Sequence, residues 1–339
     1  MLSVVTGANG LVGVNLVRAL LDRGDRVRVI DKRKTEALAG LDVERIQADV
    51  RDYRALEKAF AGADTVFHLA AVISIVGDPT GEVQSTNVDG PRNASRAALA
   101  CGVKRFVHCS SVHAFDLEYC GPELSETAVR ATGLHAPAYD RSKNAGENQV
   151  RAAIAEGLDA VVVNPSGIIG PNDHGPSRIG ELLIQMRDRT LPVNIRGAFD
   201  FVDVRDVVAG MLSAERRGRT GENYILSGHR LKMGEIAELA EKITGAGAPR
   251  ISMPISIITG LAPLFLRFTA RGETPLITPD SVHAVRYSPS ICHYKASTEL
   301  GYVARPLLDT MRDTYAWFEE YMPPNSGSAT RKRKTLAST

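Results

Sequence analysis

The sequence predicts a doubly wound α/β fold, in which a parallel sheet carries helices on both faces. Short β-branched runs alternate with longer segments of helical spacing through the first half of the 339-residue chain. This alternation is typical of parallel strands joined by right-handed helical crossovers. The strand runs are almost continuously apolar, as expected of strands covered on both faces. A glycine-rich turn lies directly between the first strand and the first helix.

Six strands are predicted before residue 165, where the alternation ends. They span residues 2–6, 27–31, 45–48, 65–69, 105–110 and 160–164. The first helix is predicted from apolar residues at helical spacing between residues 11 and 21, and Gly24 is a suitable stop after it.

Beyond residue 165 the pattern changes, and we expect a smaller lobe interleaved with the end of the larger domain. Glycine and proline crowd residues 165–176; the predicted elements that follow are a helix at 179–189, a strand at 199–204 and helices at 232–243 and 307–321. We assign 1–165 and about 197–230 to a Rossmann domain, 166–196 and 231–322 to a substrate lobe, and 323–339 to a disordered basic tail.

The charge of the chain is nearly balanced, with 41 basic and 39 acidic residues. Four basic residues lie at 331–334, so residues 1–322 carry 37 basic and 39 acidic side chains. This balance argues against a large basic face, and we expect no nucleic-acid binding. The four cysteines lack the CxxC spacing of zinc and redox sites, so we expect free thiols, no metal and a cytoplasmic location. No basic segment precedes an apolar run at the N-terminus, so no signal peptide is expected.

The segment 251–266 carries no charge and is rich in apolar residues. It contains Pro254, Gly260 and Pro263, and it is shorter than the ~20 residues that cross a bilayer. We expect a buried helix or a lid over an apolar substrate, and contact with a membrane surface is the alternative.

The glycine-rich turn has the spacing G-x-x-G-x-x-G, formed by Gly7, Gly10 and Gly13, with Asn9 and Leu11 between them. Glycines at these positions let the backbone turn tightly and approach a pyrophosphate, while the N-terminus of the following helix offers free N–H groups to the anion. In this strand–turn–helix context the spacing predicts dinucleotide binding rather than a turn without a ligand.

Asp31 ends the second predicted strand, close to the acidic position expected about 20 residues after such a turn. A carboxylate there accepts hydrogen bonds from the ribose hydroxyls and repels a 2′-phosphate, which favours NAD. Lys32, Arg33 and Lys34 follow directly. Because these cations attract a 2′-phosphate, NADP stays open as the alternative.

Tyr139 and Lys143 are four residues apart, which places both on one face of a helix. A phenol with an ordinary pKa near ~10 is a poor acid or base at neutral pH, and a nearby ammonium lowers that pKa by stabilising the phenolate. Ser110 and Ser111 end a predicted strand, at the edge where doubly wound sheets bind ligands. A hydroxyl there can bond to a substrate oxygen, or it can cap the strand end.

The order of these motifs resembles the extended short-chain dehydrogenase/reductase family of the NAD-dependent epimerase/dehydratase type. The resemblance covers about residues 1–321. It is carried by Gly7-x-x-Gly10-x-x-Gly13, Asp49-Val50, His68-Leu69-Ala70-Ala71, Asn87, Ser110-Ser111, Tyr139-x-x-x-Lys143, Asn164-Pro165, residues 201–207 and residues 295–302.

The resemblance implies a role for each matching residue. Tyr139 would be the general acid/base, and Lys143 would lower its pKa and contact the nicotinamide ribose. Ser111 would polarise the substrate carbonyl, and Asn87 would help to shape the site. Related enzymes often dimerise, so a homodimer is expected. Besides the turn and Asp31, the implied cofactor contacts are Lys32, Asp49, Val50, Leu69, Ala70, Ala71, Pro165 and Ser166.

Two positions separate this sequence from the sugar-nucleotide enzymes of that family. Phe199 stands where those enzymes carry an Arg that pairs with a nucleotide diphosphate, and Asp203 replaces a His. A Phe cannot replace bidentate recognition by Arg. Arg196, three residues earlier, is close enough in sequence to compensate.

Two further segments indicate the branch of the family. Val112 and His113 follow Ser111 in place of the Asp-Glu pair of the dehydratases, which disfavours sugar dehydration. The segment 272–279 resembles the dihydroflavonol reductase-like and 3β-hydroxysteroid dehydrogenase-like branch, and the apolar segment before it suits the wall of a pocket for a hydrophobic substrate.

We therefore expect an NAD(P)-dependent oxidoreductase that interconverts a secondary alcohol and a ketone. Its substrate would be a hydrophobic small molecule of steroid-, terpenoid- or flavonoid-like character, and Tyr139 would move the hydroxyl proton. A sugar-nucleotide epimerase with tightly bound NAD is the first alternative. A non-catalytic NAD(P)-binding sensor is the second; such proteins often lack the Tyr or the Lys, and both are present here.

Overall fold

Strands and helices alternate in the computed structural model, which describes residues 1–191, 193–247, 249, 252–258 and 276–323. The strands are β1 (Leu2–Thr6), β2 (Arg26–Asp31), β3 (Glu44–Gln47), β4 (Thr65–His68), β5 (Arg105–Cys109), β6 (Glu123–Leu124), β7 (Ala160–Pro165), β8 (Gly167–Ile169), β9 (Asn194–Ile195), β10 (Ala198–Asp203), β11 (Asn223–Leu226), β12 (His229–Lys232), β13 (Ser252–Met253) and β14 (Ser290–Ile291). The helices are α1 (Leu11–Asp22), α2 (Tyr53–Phe60), α3 (Glu82–Gln84), α4 (Gly90–Ala100), α5 (Ala138–Ala155), α6 (Arg178–Arg187), α7 (Val204–Arg217), α8 (Met233–Thr244), α9 (Pro279–Arg286), α10 (Tyr294–Leu300) and α11 (Leu307–Tyr321).

A seven-stranded sheet with the order β11-β7-β5-β4-β1-β2-β3 forms the centre of the protein. Every neighbouring pair in it is parallel. From β1 the chain continues through β2 to β3 at one edge of the sheet. It then returns to β4 on the other side of β1 and continues through β5 and β7 to β11 at the opposite edge. This strand order is that of a doubly wound sheet, which confirms the predicted fold class.

Both faces of the sheet are covered because successive residues of each strand point to opposite sides. On one face, Val5 and Val107 pack with apolar side chains of α1 and α7. On the other face, their neighbours Val4 and Phe106 pack with apolar side chains of α2, α4 and α5. The nearly continuous apolar runs in the sequence follow from this burial on both faces.

The predicted elements match the observed ones closely. The six predicted strands, the strand at 199–204 and the helices at 179–189, 232–243 and 307–321 are confirmed within two residues at each end. Gly24 lies just beyond α1 with φ +88° and donates its N–H to the carbonyl of Leu21 at 2.8 Å. This left-handed conformation explains the glycine at the helix end.

A three-stranded sheet with the order β12-β10-β8 is formed by strands beyond residue 165. Helices α6, α8 and α11 contribute to an apolar core that includes Leu183, Ile236 and Phe318. The segment 197–230 contributes strands to both sheets, since β10 joins the small one and β11 joins the large one. The division into a Rossmann domain and a substrate lobe remains a proposal.

Part of the apolar segment 251–266 lies within the described residues. β13 pairs with β9, and the buried side chain of Ile258 packs with Ile277 and Val282. Residues 251 and 259–275, as well as residues 324–339 of the predicted tail, lie outside the described residues. Among the described helices, none combines the length and the apolar character needed to cross a membrane.

Replacing Gly13 with Ala should lower the free energy of unfolding, because the added Cβ would lie 2.4 Å from the carbonyl oxygen of Gly7. We expect a loss of about 1–3 kcal/mol, the usual cost of overpacking a tight site, measured by urea-induced unfolding. Gly10→Ala is the matched control, since the nearest atom to its added Cβ would be the same oxygen at 3.4 Å. An equal loss in both variants would contradict this interpretation of the turn.

Candidate active site

A cleft of about 780 Å³ opens at the carboxyl ends of the central strands and extends to residues of the small sheet. Ligands of doubly wound sheets bind at these strand ends. Among the predicted site residues, Asn9 and Asn87 are not part of the cleft wall. The others all line it, namely Gly7, Gly10, Leu11, Gly13, Asp31, Lys32, Asp49, Val50, Leu69, Ala70, Ala71, Ser111, Tyr139, Lys143, Pro165 and Ser166.

The glycine turn is packed too closely for side chains at two of its three glycines. Gly7 has φ +67°, and a Cβ there would lie 2.7 Å from the backbone nitrogen of Ala70. A Cβ at Gly13 would meet the Gly7 carbonyl, as described above. The first turn of α1 contains no acidic residue, so its N–H groups and positive dipole end are available to an anion. The glycines therefore allow a tight turn, and the free N–H groups at the start of α1 suit the pyrophosphate of a dinucleotide.

Asn9 fixes the turn to the end of β2. Its backbone N–H donates to Oδ2 of Asp31 at 3.1 Å, and its side-chain amide donates to the carbonyl of Arg33 at 2.8 Å. Asp31 also accepts the backbone N–H of Arg33 at 2.9 Å. The carboxylate of Asp31 is therefore held at the cleft wall by two backbone donors, although Asn9 itself does not face the cleft.

Tyr139, Lys143 and Ser111 come together where α5 meets the end of β5. Tyr139 and Lys143 lie one turn apart on α5, and both line the cleft. Ser111 follows β5, and its hydroxyl shares a hydrogen bond with Tyr139. The buried amine of Lys143 donates to the backbone carbonyl of Cys109 at 3.1 Å, which joins α5 to the end of β5.

The electrostatics of Tyr139 differ from the sequence-based expectation. Burial raises the pKa of Tyr139 above its ordinary value, the carboxylate of Asp140 raises it further, and the hydrogen bond with Ser111 opposes them. Burial likewise lowers the pKa of Lys143. The expected lowering of the Tyr139 pKa is not found. Burial destabilises the phenolate by removing it from water, and this effect is larger than the stabilisation by the hydrogen bond with Ser111. Tyr139 is a protonated donor at neutral pH.

His113 is a polar residue of the cleft that the sequence reasoning did not assign to the site. Its Nδ1 lies 3.1 Å from Oδ1 of Asp140, and its ring meets the Tyr139 ring edge-on with centroids 5.8 Å apart. Burial lowers the pKa of His113, but the charge and hydrogen bond of Asp140 outweigh burial, so the net shift is upward. The only signal in the sequence is the position of His113 two residues after Ser111.

Asn87 holds two parts of the site without facing the cleft. It lies in the π turn Ser85–Asp89 between α3 and α4. Its amide oxygen accepts the N–H of Val72 at 2.8 Å, and its amide nitrogen donates to the Val72 carbonyl at 2.9 Å and to Oγ of Ser142 at 3.0 Å. Val72 follows β4 and Ser142 lies on α5, so we infer a positioning role for Asn87.

The buried carboxylate of Glu147 joins α5 to the neighbouring strands β7 and β11. Glu147 accepts hydrogen bonds from Asn164 at 2.7 Å, from Asn223 at 2.9 Å and from Arg130 at 2.8 Å. Asn164 also donates to the backbone carbonyl of Ser111 at 2.9 Å. The sequence reasoning found Asn164 as part of a motif but missed Glu147, which gives no local signal.

Apolar side chains line most of the cleft on the side of the small sheet. Phe199 packs against Phe201 with ring centroids 5.5 Å apart and faces His113 at 6.4 Å. Arg178 is a cation of this region, and it pairs with Glu181 at 2.8 Å. The apolar lining includes Ile73, Ile75, Leu182, Leu191, Val193, Ile195, Phe199, Phe201, Leu276, Ile277 and Val285.

The sequence model of the NAD dependent epimerase/dehydratase family matches residues 3–227 of this chain. Sterol demethylase protein B of Methylococcus capsulatus is 36% identical over 326 residues, which cover 94% of this chain and 99% of that protein. A putative dihydroflavonol 4-reductase of Synechocystis sp. is 31% identical and covers 94% of each chain. A 3 beta-hydroxysteroid dehydrogenase/Delta 5-->4-isomerase of Mycobacterium tuberculosis is 29% identical and covers 91% of this chain and 87% of that protein.

Solved structures share the whole architecture. The crystal structure of gox2253 superimposes with a TM-score of 0.83 at 30% identity and covers 96% of this chain and 99% of its own. A UDP-glucose 4-epimerase from Thermotoga maritima superimposes with a TM-score of 0.76 at 21% identity and covers 94% and 99%. At that identity the second likeness shows the fold alone.

Asp140→Asn should destabilise the protein more at about pH 6 than at about pH 9. The pKa of His113 is raised by Asp140, so their attraction stabilises the fold below the ordinary His pKa of ~6.5 and is lost as the pH rises through the folded value. Urea unfolding at the two pH values measures this difference. In a His113→Gln background the pH dependence of the Asp140→Asn effect should disappear, and its persistence there would contradict the assignment.

Proposed function

The chain belongs to the NAD dependent epimerase/dehydratase family, and we propose that it is an oxidoreductase that interconverts a secondary alcohol and a ketone on an apolar substrate. The observation that carries this proposal is the apolar part of the cleft, which meets Tyr139 and Ser111 at one end. An apolar wall beside a few polar groups suits a hydrophobic molecule with a single reacting oxygen. A steroid-, terpenoid- or flavonoid-like skeleton has this character.

The charges on the substrate side of the cleft support the proposal over a sugar-nucleotide substrate. Phe199 offers no charge to a diphosphate, and Arg178 is already paired with Glu181. Arg196, three residues before the position of the missing Arg, is exposed and is not among the described residues that line the cleft. An Arg that pairs with a diphosphate in a bidentate way is a strong recognition element, and the described residues at this end of the cleft offer no unpaired Arg for it.

The names of the relatives point in the same direction. Sterol, hydroxysteroid and dihydroflavonol are the molecules in the names of three proteins that align with nearly the whole chain. All three names describe polycyclic, largely apolar skeletons, which agrees with the lining of the cleft. A homodimer and a cytoplasmic location stay predictions.

The residues present fit NAD as the cofactor. Gly7, Gly10 and Gly13 with the start of α1 would hold the pyrophosphate, and Asp31 would accept the hydroxyls of the adenine ribose. Lys143 would contact the nicotinamide ribose. When bound, NAD supplies the hydride acceptor for oxidation of an alcohol and, when reduced, the hydride donor for reduction of a ketone.

The chain's own residues would handle the oxygen and its proton. Ser111 would donate a hydrogen bond to the substrate oxygen, and Tyr139 would take the hydroxyl proton during oxidation and return it during reduction. The raised pKa of Tyr139 suits the second task, because a protonated phenol can donate to a ketone oxygen. The apolar walls would keep water from that oxygen and strengthen both hydrogen bonds.

Tyr139→Phe should reduce turnover of apolar alcohols by at least ~100-fold, because the variant lacks the group that moves the proton. Binding of NAD⁺, measured by titration calorimetry, should change little. Tyr294→Phe is the matched control, since Tyr294 is exposed and does not line the cleft. Retained turnover in Tyr139→Phe would refute the role of Tyr139, and absence of NAD⁺ binding to the unaltered protein would refute the proposal as a whole.

A further inference from the structure

An ion pair at the adenosine end of the cleft joins segments that follow two different strands. Nζ of Lys32, which follows β2, lies 2.6 Å from Oε1 of Glu82, the first residue of α3 beyond β4. Both residues line the cleft, and their side chains are 43% and 45% exposed. The hydrogen bond from Lys32 lowers the pKa of Glu82, so the pair is charged at neutral pH.

A second ion pair lies close to the first. Arg51 forms a bidentate contact with Asp49, with Nε to Oδ1 at 3.0 Å and Nη2 to Oδ2 at 2.6 Å. Lys32 lowers the pKa of Asp49, and Arg51 lowers the pKa of Glu82, so the two pairs act on each other electrostatically. The positive charges of Lys32 and Arg51 are therefore balanced by the carboxylates of Glu82 and Asp49.

Asp31 adds a further negative charge at the same end of the cleft. Its carboxylate is held by the backbone N–H groups of Asn9 and Arg33, so it cannot easily turn away from a ligand. A ribose 2′-hydroxyl can donate to the carboxylate of Asp31. A 2′-phosphate, with a charge near −2 and no donor at neutral pH, would instead meet Asp31 and Glu82 with Lys32 already neutralised.

We propose that Glu82 determines the preference for NAD over NADP by neutralising Lys32. The basic run after β2 would otherwise attract a 2′-phosphate, as the sequence alone suggests. Glu82 pairs with Lys32, the first cation of that run, and adds a negative charge that repels a 2′-phosphate. This inference rests on the proposed function only in requiring that the cleft binds a nicotinamide dinucleotide.

Glu82→Gln tests this assignment without touching the residues proposed for catalysis. We expect the variant to bind NADP⁺ about 3- to 10-fold more tightly, because one repelling charge is lost and Lys32 is released, while NAD⁺ affinity stays within about 2-fold. The gain should shrink at high ionic strength, since the groups are half exposed. Titration calorimetry of the purified full chain with each dinucleotide measures these affinities without any substrate.

Two further variants make the outcome decisive. Glu44→Gln is the control with the same charge change, since Glu44 pairs with Arg28 outside the cleft, and it should leave the ratio of NADP⁺ to NAD⁺ affinity unchanged. In Glu82→Gln/Lys32→Met the gain for NADP⁺ should disappear. The inference is overturned if Glu82→Gln behaves like Glu44→Gln, or if the double variant keeps the gain. Failure of the unaltered protein to bind either dinucleotide would instead overturn the proposed function.

Discussion

The attachment of α5 to the carboxyl edge of the large sheet is the constraint on which the site depends. Glu147 provides the strongest part of it, because a buried carboxylate is tolerated only when several donors satisfy it. Its partners Asn164 and Asn223 lie on β7 and β11, and Asn164 also holds the backbone of Ser111. The same helix is held to the end of β5 through Lys143. Tyr139, Lys143 and Ser111 therefore share one rigid frame.

This frame divides the cleft into two ends of different chemistry. The adenosine end carries paired charges and a glycine turn, which suit a dinucleotide with a free ribose hydroxyl. The end at the small sheet is mainly apolar, and the described cation there, Arg178, is paired. Tyr139 and Ser111 lie where these ends meet, so with the proposed function they would face a hydrophobic substrate on one side and the cofactor on the other.

Features with a local physical cause could be predicted from the sequence. Strands buried on both faces leave apolar runs, the close packing at Gly7 and Gly13 requires glycine, and helical spacing brings Tyr139 and Lys143 onto one face. The contacts between Lys32 and Glu82 and between His113 and Asp140 depend on how distant segments pack, so no local pattern indicates them. The upward shift of the Tyr139 pKa could not be predicted from the Tyr-Lys spacing, because burial is a property of the folded structure.

The proposed reaction is net hydride transfer between an apolar alcohol and NAD⁺. Its most direct test is the amount of NADH formed when the purified protein and excess NAD⁺ are given sterols, terpenols and aromatic alcohols, with UDP-glucose and UDP-galactose in parallel. NADH should form in large molar excess over the protein with at least one apolar alcohol, and none should form with the sugar nucleotides. Interconversion of the two UDP-sugars without net NADH, and no reaction with any apolar alcohol, would contradict it.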